Sequence, residues 1–374
     1  MNMVADSVRM NAYEAALRAV VTPESIVLDI GTGLGVTAII AARLGARHVI
    51  AIEPDDVVEV ARVIAFRNGV GDRIEFLKGL STALELPVTA DVIVSDLRGV
   101  LPLFGSHIES IIDARNRLLT SGGVLIPKCD SIRVALIEAP ELYYTGARGG
   151  ATPPLLIDLT DVHSLGANDW SRQRFERHHI VGEISTWAEI DYEIVVTQHF
   201  QRCVVTRVPR QATLHGVGAW FDTVLHAGVG FSNAPGEPKA IYENAFFPFT
   251  TPLVVAPGDE VDVDLRARLV NNEYVWTWNT TVRDAAAGAV TASLRQSSLV
   301  DGVSSIREVM RSSDRHAPAR NVDGEIDLFI LSHMDGTATS GEIAERLEEA
   351  FPSHFSRTRD ALARVVALAR SRST

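Results

Sequence analysis

A short apolar strand followed at once by three alternating glycines constrains the fold of this chain more than any other feature. The run IVLDI at 26–30 leads directly into Gly31, Gly33 and Gly35, and a helix-like segment follows. Because glycine has no Cβ, the backbone of such a turn can approach a ligand closely. Glu53 ends the next strand, about twenty positions along the sequence from the glycines. An acid at this spacing can accept hydrogen bonds from ribose hydroxyls. The pattern predicts a βαβ unit that binds a nucleoside.

The spacing of these glycines narrows the choice of ligand. The loop reads Gly-x-Gly-x-Gly and is preceded by Asp29, whereas dinucleotide sites have Gly-x-Gly-x-x-Gly. A further strand ends in a second acid, at Ser95-Asp96. These differences favour a nucleoside cofactor without a pyrophosphate. A dehydrogenase site or a turn without a ligand remains an alternative at this point.

The apolar pattern predicts three parts along the chain. Strand-like and helix-like runs alternate up to Pro127, which is typical of a doubly wound α/β domain with a parallel sheet. Runs with a period of two follow and predict antiparallel strands, and the last fifty or so residues have helical periodicity. We therefore expect domains at 1–128, 129–315 and 320–374.

Composition limits the partners of the chain. The net charge of −12 opposes broad attraction to nucleic acid or to an anionic membrane, so a cationic or small neutral substrate is expected. No stretch of 18 apolar residues and no basic leader occurs, which predicts a cytoplasmic protein without a membrane partner. Cys129 and Cys203 lack metal-ligand spacing, so neither a disulfide nor a metal site is expected.

Three segments also carry a family resemblance. The runs VLDIGTGLGVTAIIAARLGARHVIAIE, LKGLSTALELP and DVIVSDLRGVLPLFGSHIESIIDARNRLLTSGGVLIP resemble, in order, the corresponding blocks of the protein arginine methyltransferases, and the resemblance covers roughly positions 3–310. It implies a Rossmann-like methyltransferase domain followed by an antiparallel β-barrel. It also implies S-adenosylmethionine as the methyl donor and a homodimer.

The resemblance assigns a cofactor site residue by residue. It implies that Arg9 holds the methionine carboxylate, that Asp29 and the glycines line the methionine and ribose, and that Glu53 takes the ribose hydroxyls. The expected cofactor residues are therefore Arg9, Asp29, Gly31, Thr32, Gly33, Glu53, Ser95 and, at the adenine, Ser81 and Thr82.

The acceptor side departs from the family. The family holds a guanidinium between two glutamates in a loop that reads Ser-Glu-Trp-Met-Gly and ends in Tyr-Glu. Here the first acid is Asp96, the second position is Gly105, and Arg98 replaces the methionine. A guanidinium stays protonated, so its burial without carboxylates is costly. Arg98 is expected either to pair with Asp96 or to meet an anionic group of the substrate.

A second family motif is also changed. The Thr-His-Trp loop aligns with Ala240-Ile241-Tyr242, so its histidine is missing, and Glu243 follows as a carboxylate that could act by another route. We take Asp96, Arg98 and Glu243 as the catalytic candidates, with Asp96 orienting the acceptor or receiving its proton. Glu109, one helical turn beyond Gly105, is a further candidate for a second acid.

Three functional hypotheses follow from these motifs. The first is a methyltransferase with a rebuilt acceptor site that acts on a small metabolite or peptide in a bacterial biosynthetic pathway. The second is an atypical arginine or guanidino N-methyltransferase in which another acid completes the cage. The third is a non-catalytic partner protein that binds S-adenosylmethionine.

The tail at 320–374 carries its own weaker resemblance. Asp335-Gly336-Thr337, Glu342-Ile343-Ala344, Leu347 and Phe351 resemble the small winged-helix modules that bind precursor peptides in bacterial peptide-modification pathways. A plain helical cap on the β region remains the alternative interpretation.

Overall fold

A computed structural model describes residues 3–146, 167–299, 317, 319–355 and 357–373. Chain contacts divide the protein into two compact units, Met1–Val303 and Ser304–Thr374. The end of the predicted middle domain, at 315, lies outside the described residues.

The first part of the chain is a parallel sheet covered by helices. Its elements are α1 (Ser7–Val20), β1 (Ile26–Ile30), α2 (Val36–Arg43), β2 (His48–Glu53), α3 (Val57–Arg67), β3 (Ile74–Lys78), β4 (Ala90–Ser95), α4 (His107–Arg117) and β5 (Leu119–Ile126). The strand order is β3-β2-β1-β4-β5, and every pair is parallel. All five residues of β1 are buried, as expected for a strand with packed layers on both faces.

The second part is antiparallel, as the period-two pattern predicts. It contains β6 (Cys129–Ile137), α5 (Pro140–Gly146), β7 (Ser171–Gln173), β8 (Ile180–Asp191), β9 (Phe200–Arg207), β10 (Ala212–His226), β11 (Val229–Ser232), β12 (Asn244–Val255), β13 (Glu260–Val270), β14 (Glu273–Arg283) and β15 (Val290–Leu294). One sheet has the order β7-β12-β10-β6-β8, with β11 paired to β10, and the other has the order β15-β14-β13-β9.

One hydrophobic core joins the parallel and antiparallel parts. It runs from Ile30 and Ile93 of the parallel sheet to Trp187 and Trp278 of the antiparallel sheets. The opposite face of the parallel sheet packs against α1, α2 and α3 in a second cluster that includes Tyr13. The regions expected as separate domains at 1–128 and from 129 therefore share a continuous core and belong to one compact unit, and the boundary between them stays a prediction.

The second unit contains three helices, α6 (Val322–His333), α7 (Ser340–Ala350) and α8 (Thr358–Arg372), and its described residues include no strand. Thr339 and Glu342 form a reciprocal capping box at the start of α7. Ile326, Ile343 and Val365 belong to a small core of its own. The helical tail is therefore present, and its role stays a prediction.

In the described part of the chain, no helix is long and apolar enough to cross a membrane.

Candidate active site

The glycine loop lies at the carboxyl edge of the parallel sheet, beside the point where the strand order reverses. β1 has β2 on one side and β4 on the other, and the loop connects β1 to α2. Ligands of open α/β sheets bind at this kind of crevice. Gly31, Gly33 and Gly35 all have positive φ angles, at 73°, 55° and 78°. The sequence therefore needs glycine here for its backbone conformation as well as for access.

Two adjoining cavities open at this edge. The first, the glycine-loop cavity, has a volume of about 250 Å³. The second, the strand-end cavity, has a volume of about 390 Å³. The residues shared by both cavities are Met3, Gly31 and Asp96. Asp96 therefore borders both a candidate donor site and a candidate acceptor site.

Most predicted cofactor residues border these cavities. The glycine-loop cavity is lined by Arg9, Asp29, Gly31, Thr32 and Gly33, together with Thr37 and apolar neighbours. Ser81 lines the strand-end cavity with Ile52, Pro54 and Leu97. The folded loop thus brings together residues that lie more than seventy positions apart in the sequence, from Arg9 to Ser81.

Asp29 is a buried carboxylate at the base of the glycine loop. It accepts hydrogen bonds of 2.6 Å from the hydroxyls of Thr32 and Thr37. Burial raises the pKa of Asp29 to about 6, although the two threonine hydroxyls act in the opposite direction. The ionised carboxylate of Asp29 would stabilise a positively charged group of a ligand placed beside it.

Glu53 lies beside the same loop. Its carboxylate accepts hydrogen bonds from the backbone N–H of Gly33 at 2.9 Å and of Asp55 at 3.1 Å. The position where a Cβ of Gly33 would stand has no heavy atom within 4 Å. The loop therefore presents its backbone next to open space.

Glu53 is absent from both cavity linings, and so are two further predicted cofactor residues, Thr82 and Ser95. Thr82 is exposed and belongs to neither lining, because the turn after β3 directs only Ser81 inward. Ser95 is 1 % exposed, and its hydroxyl has no partner in the described structure. Its carbonyl instead accepts a hydrogen bond from the Tyr13 hydroxyl at 2.9 Å. Neither side chain touches the candidate cofactor space.

Asp96 is engaged through both oxygens of its carboxylate. One oxygen accepts from Arg9 Nε and from the Tyr242 hydroxyl, the latter at 2.5 Å. The other accepts from Arg98 Nε at 3.0 Å. Burial alone would raise the pKa of Asp96, but Arg98 and Arg9 hold it below its ordinary value. Asp96 is thus an ionised, internally paired carboxylate.

Arg98 is fully buried behind Asp96. Its guanidinium also donates to Asp130 at 3.0 Å, to the Thr223 hydroxyl at 2.8 Å and to the Tyr13 hydroxyl at 2.6 Å. The rings of Phe221 and Phe231 lie 5.3 Å from its central carbon, which suits a cation against aromatic faces. Its side chain has 0 % exposure. Two roles were expected for Arg98, and in this structure it pairs with Asp96. Arg98 also belongs to the lining of the strand-end cavity, so its contact with an anionic group of a substrate stays a prediction.

Arg9 faces two ways. Its side chain lines the glycine-loop cavity, where the resemblance places the methionine carboxylate, yet its Nε pairs with Asp96. Burial would lower the pKa of Arg9, but Asp96 and the neighbouring tyrosines raise it above its ordinary value. Arg9 therefore stays charged while it connects the two cavities.

The additional acids proposed from the sequence do not join Asp96. Glu243 lines a small separate depression with Arg174 and Lys239, because it has a left-handed φ of 55° at the start of β12 and follows the inward-facing Tyr242. Glu109 is exposed on α4, one position beyond the inward-facing Ile108. The residue beside Asp96 is therefore Tyr242 and not Glu243, and a catalytic role for Glu243 stays a prediction.

Sequence reasoning missed several residues that build the acceptor side. Tyr13, Asp130 and Thr223 come from α1, β6 and β10 and meet only through the tertiary fold. Asn272, at the tip of the β13–β14 hairpin, lines the strand-end cavity. Its Asn-Asn pair has positive φ at both residues, which identifies a tight turn from sequence but not the cavity that the turn meets.

Comparison with known proteins gives relatives for both parts of the first unit. The family described as ribosomal protein L11 methyltransferase (PrmA) matches residues 12–143. Protein arginine N-methyltransferase 1.1 of Arabidopsis thaliana is 35% identical over 273 residues, which cover 69% of this chain and 68% of that protein. The probable histone-arginine methyltransferase CARM1 of rice (Oryza sativa subsp. indica) is 30% identical over 282 residues, 70% of this chain. The chain spans about half of the rice protein, 52%.

Among solved structures, the fold is similar to that of the Trypanosoma brucei PRMT1 enzyme-prozyme heterotetrameric complex with AdoHcy. The TM-score is 0.70 at 22% identity, and the match covers 79% of this chain and 96% of that one. This likeness concerns the fold, and it agrees with the parallel and antiparallel parts described above. On the sequence match to the Arabidopsis enzyme, the chain belongs to the protein arginine methyltransferase family of class I S-adenosylmethionine-dependent methyltransferases.

Proposed function

We propose that this chain transfers a methyl group from S-adenosylmethionine to an uncharged acceptor group. The observation that carries the proposal is the state of Asp96, whose two oxygens are already engaged by Arg9, Arg98 and Tyr242. The position of the family's second glutamate is Gly105. No free carboxylate is therefore offered to a guanidinium on the acceptor side.

The donor site supports S-adenosylmethionine as the cofactor. Asp29 supplies a carboxylate in the glycine-loop cavity for the cationic amine of the methionine part. Glu53, which accepts a hydrogen bond from the backbone N–H of Gly33 in the same loop, supplies a carboxylate for the ribose. Arg9 borders the same cavity and carries a charge that suits the methionine carboxylate. The similar structure from Trypanosoma brucei is a complex with AdoHcy, the demethylated product of this cofactor.

The charge balance supports a neutral acceptor. Arg9 and Arg98 are two buried cations, and Asp96 and Asp130 are two buried anions that pair with them. A guanidinium beside the sulfonium of the donor would add a third cation to this neutral cluster. Among the described residues that line the strand-end cavity, Asp96 is the only acid. Burying an uncompensated charge costs several kcal/mol, on the order of 3–5.

The residues of the chain have a positioning role in this reaction. Methyl transfer is an in-line displacement, so the site must align the acceptor with the methyl group and exclude water. Leu97 and Phe104 supply apolar walls to the strand-end cavity, and Asn272 supplies a polar contact. Asp96 borders both cavities and accepts a hydrogen bond from the Tyr242 hydroxyl, so it is the group placed to orient the acceptor or receive its proton.

The substrate class, the assembly and the location are part of the same proposal. A cavity of about 390 Å³ admits a small metabolite or one side chain of a peptide. The net charge of −12 disfavours nucleic acid as substrate. A homodimer in the cytoplasm and a bacterial biosynthetic pathway remain the expectations stated from the sequence.

Arginine methylation is the second candidate, and family membership favours it. The 35% identical Arabidopsis relative is named for that activity. For this chain to bind a guanidinium, Asp96 would have to release Arg98, whose other partners are all buried. That rearrangement is what separates the two candidates.

A labelled-donor assay distinguishes these functions. Purified protein is incubated with methyl-labelled S-adenosylmethionine and either arginine-rich peptides or a panel of neutral amines, phenols, imidazoles and amides. We expect label in a neutral acceptor and none in arginine. Efficient labelling of arginine peptides would overturn the proposal.

Calorimetry covers the non-catalytic alternative. Binding of S-adenosylmethionine and S-adenosylhomocysteine without any turnover across the panel would favour a partner protein over an enzyme.

A further inference from the structure

His107, the first residue of α4, is a buried imidazole that lines the strand-end cavity. It is 2 % exposed, and the mechanism described above does not use it. Its Nε2 lies 2.9 Å from the hydroxyl of Tyr192, which lies 2.6 Å from a carboxylate oxygen of Asp130. Asp130 pairs with Arg98, so this chain of contacts begins at the cavity and ends behind Asp96.

The number of protons in this chain fixes the tautomer of His107. A tyrosine hydroxyl has one proton, and here it is donated to the Asp130 carboxylate, which only accepts. The Tyr192 oxygen must therefore accept from His107, so Nε2 carries the imidazole proton. Nδ1 is then an unprotonated nitrogen with a lone pair.

That Nδ1 atom has no hydrogen-bond partner in the described part of the chain. Burial and the nearby Arg98 lower the pKa of His107 to about 3, so the ring is neutral at physiological pH. Buried polar atoms are nearly always satisfied, and an orphan at a cavity calls for a missing partner. The partner of a lone pair is a hydrogen-bond donor.

We propose that His107 recognises a neutral N–H or O–H donor of a ligand in the strand-end cavity, through Nδ1, with Tyr192 holding the ring in the Nε2-protonated tautomer. The inference rests on the proposed methyl-transfer function and names a specificity-determining residue for it. Two sources supply such a donor, the exocyclic amine of the cofactor's adenine and the reacting group of the neutral acceptor. Both would enter this cavity, since it borders Ser81 as well as Asp96.

Nitrogen-15 NMR of histidine-labelled protein tests the tautomer and the recognition directly. Without ligand, Nε2 of His107 should be protonated and Nδ1 should not. S-adenosylhomocysteine is then compared with an analogue that has purine in place of adenine. Finally, protein loaded with S-adenosylhomocysteine is titrated with phenol and, separately, with anisole. Phenol has a hydroxyl donor and anisole has none.

The arms of the experiment separate the two sources. A shift of Nδ1 with the adenine compound and not with the purine analogue assigns the donor to the cofactor. A shift with phenol and not with anisole assigns it to the acceptor. Either result supports the inference. A protonated Nδ1 in the free protein, or an Nδ1 resonance that none of these ligands moves, overturns it.

Two substitutions separate the role of each ring nitrogen. His107→Asn keeps an acceptor near Nδ1 and loses the contact with Tyr192, whereas His107→Gln keeps a donor for Tyr192 and loses the acceptor. We expect His107→Gln to weaken the donor-bearing ligand roughly three- to tenfold, the range for one hydrogen bond, and His107→Asn to retain more of the affinity. His107→Gln should not weaken the binding of the purine analogue or of anisole, which lack the hydrogen-bond donor.

The matched control is His215→Gln, which changes a buried histidine of β10 outside the strand-end cavity. Its ligand affinities should equal those of the wild type. Equal affinities for His107→Gln and the wild type would overturn the inference even if the proposed methyl transfer holds. Methyl transfer itself is read separately by the labelled-donor assay. The NMR measurement on unsubstituted protein keeps the test valid if His107→Gln fails to fold.

Discussion

The donor side and the acceptor side of this site differ in how their polar groups are satisfied. At the glycine loop, Gly33 stands beside open space. Asp29 is held there by neutral hydrogen-bond donors, the hydroxyls of Thr32 and Thr37 and the backbone N–H of Ala38. At the loop that begins with Asp96, the charged groups are paired with one another. The carboxylate of Asp29 on the donor side has neutral partners, whereas the carboxylates of Asp96 and Asp130 on the acceptor side are paired with an internal arginine, Arg98.

Under the proposed function, this difference means that the family fold keeps its cofactor chemistry while its acceptor chemistry changes. The two sides share Gly31 and Asp96, so the change is confined to side chains behind a common boundary. Four substitutions, ordered from the largest expected effect to the smallest, test how separate the two sides are.

Arg98→Met should have the largest effect, on folding. It leaves Asp130 buried without its cation, and breaking a buried pair by removing one partner costs about 3–5 kcal/mol. Urea unfolding should show that loss in the free energy of unfolding, while the folded fraction keeps its S-adenosylmethionine affinity.

Two controls qualify the Arg98 result. Adding Asp130→Asn to Arg98→Met should restore part of the stability, because the uncompensated charge is removed. Arg117→Met removes an arginine from an exposed ion pair with Asp113 and should cost less than about 1 kcal/mol. A similarly small cost for Arg98→Met would contradict a neutral buried cluster.

The pH dependence of cofactor binding tests Asp29. Its pKa in the folded protein is about 6, above the ordinary value of 3.8, so the carboxylate is ionised above pH 6 and loses its charge below it. Affinity for the cationic donor should therefore fall as the pH drops through 6, and calorimetry across this range measures it. Asp29→Asn should remove the pH dependence and weaken binding by about 1.5–3 kcal/mol, the range for hydrogen bonds to charged groups.

The raised pKa of Asp29 also predicts how the stability of the ligand-free protein depends on pH. This dependence has the opposite sign to that of the cofactor affinity. A raised folded pKa means that folding favours the protonated form, so this group's contribution is most favourable at low pH and becomes a cost as the pH rises through 6. Asp29→Asn should raise the melting temperature of the ligand-free protein at pH 7. A lower melting temperature would show that the ionised carboxylate stabilises the loop.

Glu53→Ala should weaken cofactor binding by about 1–3 kcal/mol without unfolding the protein, because it removes a carboxylate from the ribose side of the loop. Titration calorimetry with S-adenosylhomocysteine measures this effect. Asp56→Ala is the control, since that exposed acid pairs with Lys78 outside both cavities. Equal affinities for Glu53→Ala and the wild type would remove Glu53 from the cofactor site.

Gly105→Glu should have the smallest effect. It restores the family's second acid, and the added Cβ meets only ordinary contacts with Asn272, at 3.5 Å or more. The φ of 48° makes the change unfavourable by roughly 1–2 kcal/mol. Arginine-peptide methylation should remain absent, because Arg98 still occupies Asp96. Its appearance in the labelled-donor assay would show that the missing glutamate alone excludes arginine.

The donor half of the site was largely predictable from sequence. Local signals carry it: the strand before Gly31, the glycine spacing and the acid at Glu53 all lie within one βαβ unit. The bounds of β1 agree with the predicted 26–30, and β2 ends at Glu53 as expected. Thr82 lies outside both cavities, and its contact with adenine stays a prediction. The direction of a side chain in a turn depends on the path of the loop, which periodicity does not determine.

The acceptor half was less predictable because its partners are distant in sequence. Arg98 contacts Asp130 and Thr223, which lie 32 and 125 positions away. The loop sequence shows that a charge has been gained and another lost, but not where the new charge is neutralised. Glu243 was chosen by proximity to an aligned motif, and the inward residue proved to be its neighbour Tyr242.

The anchoring of Arg98 has a consequence for how this enzyme's specificity can be altered by mutation. Its guanidinium is bound to α1, to the first strand of the antiparallel region and to β10 at once. A library that varies Arg98 or Asp130 singly should mostly yield misfolded protein, whereas correlated changes at both positions should survive. Leu97, Phe104 and Asn272 line the cavity outside that network, so single substitutions there are the accessible steps toward a new acceptor.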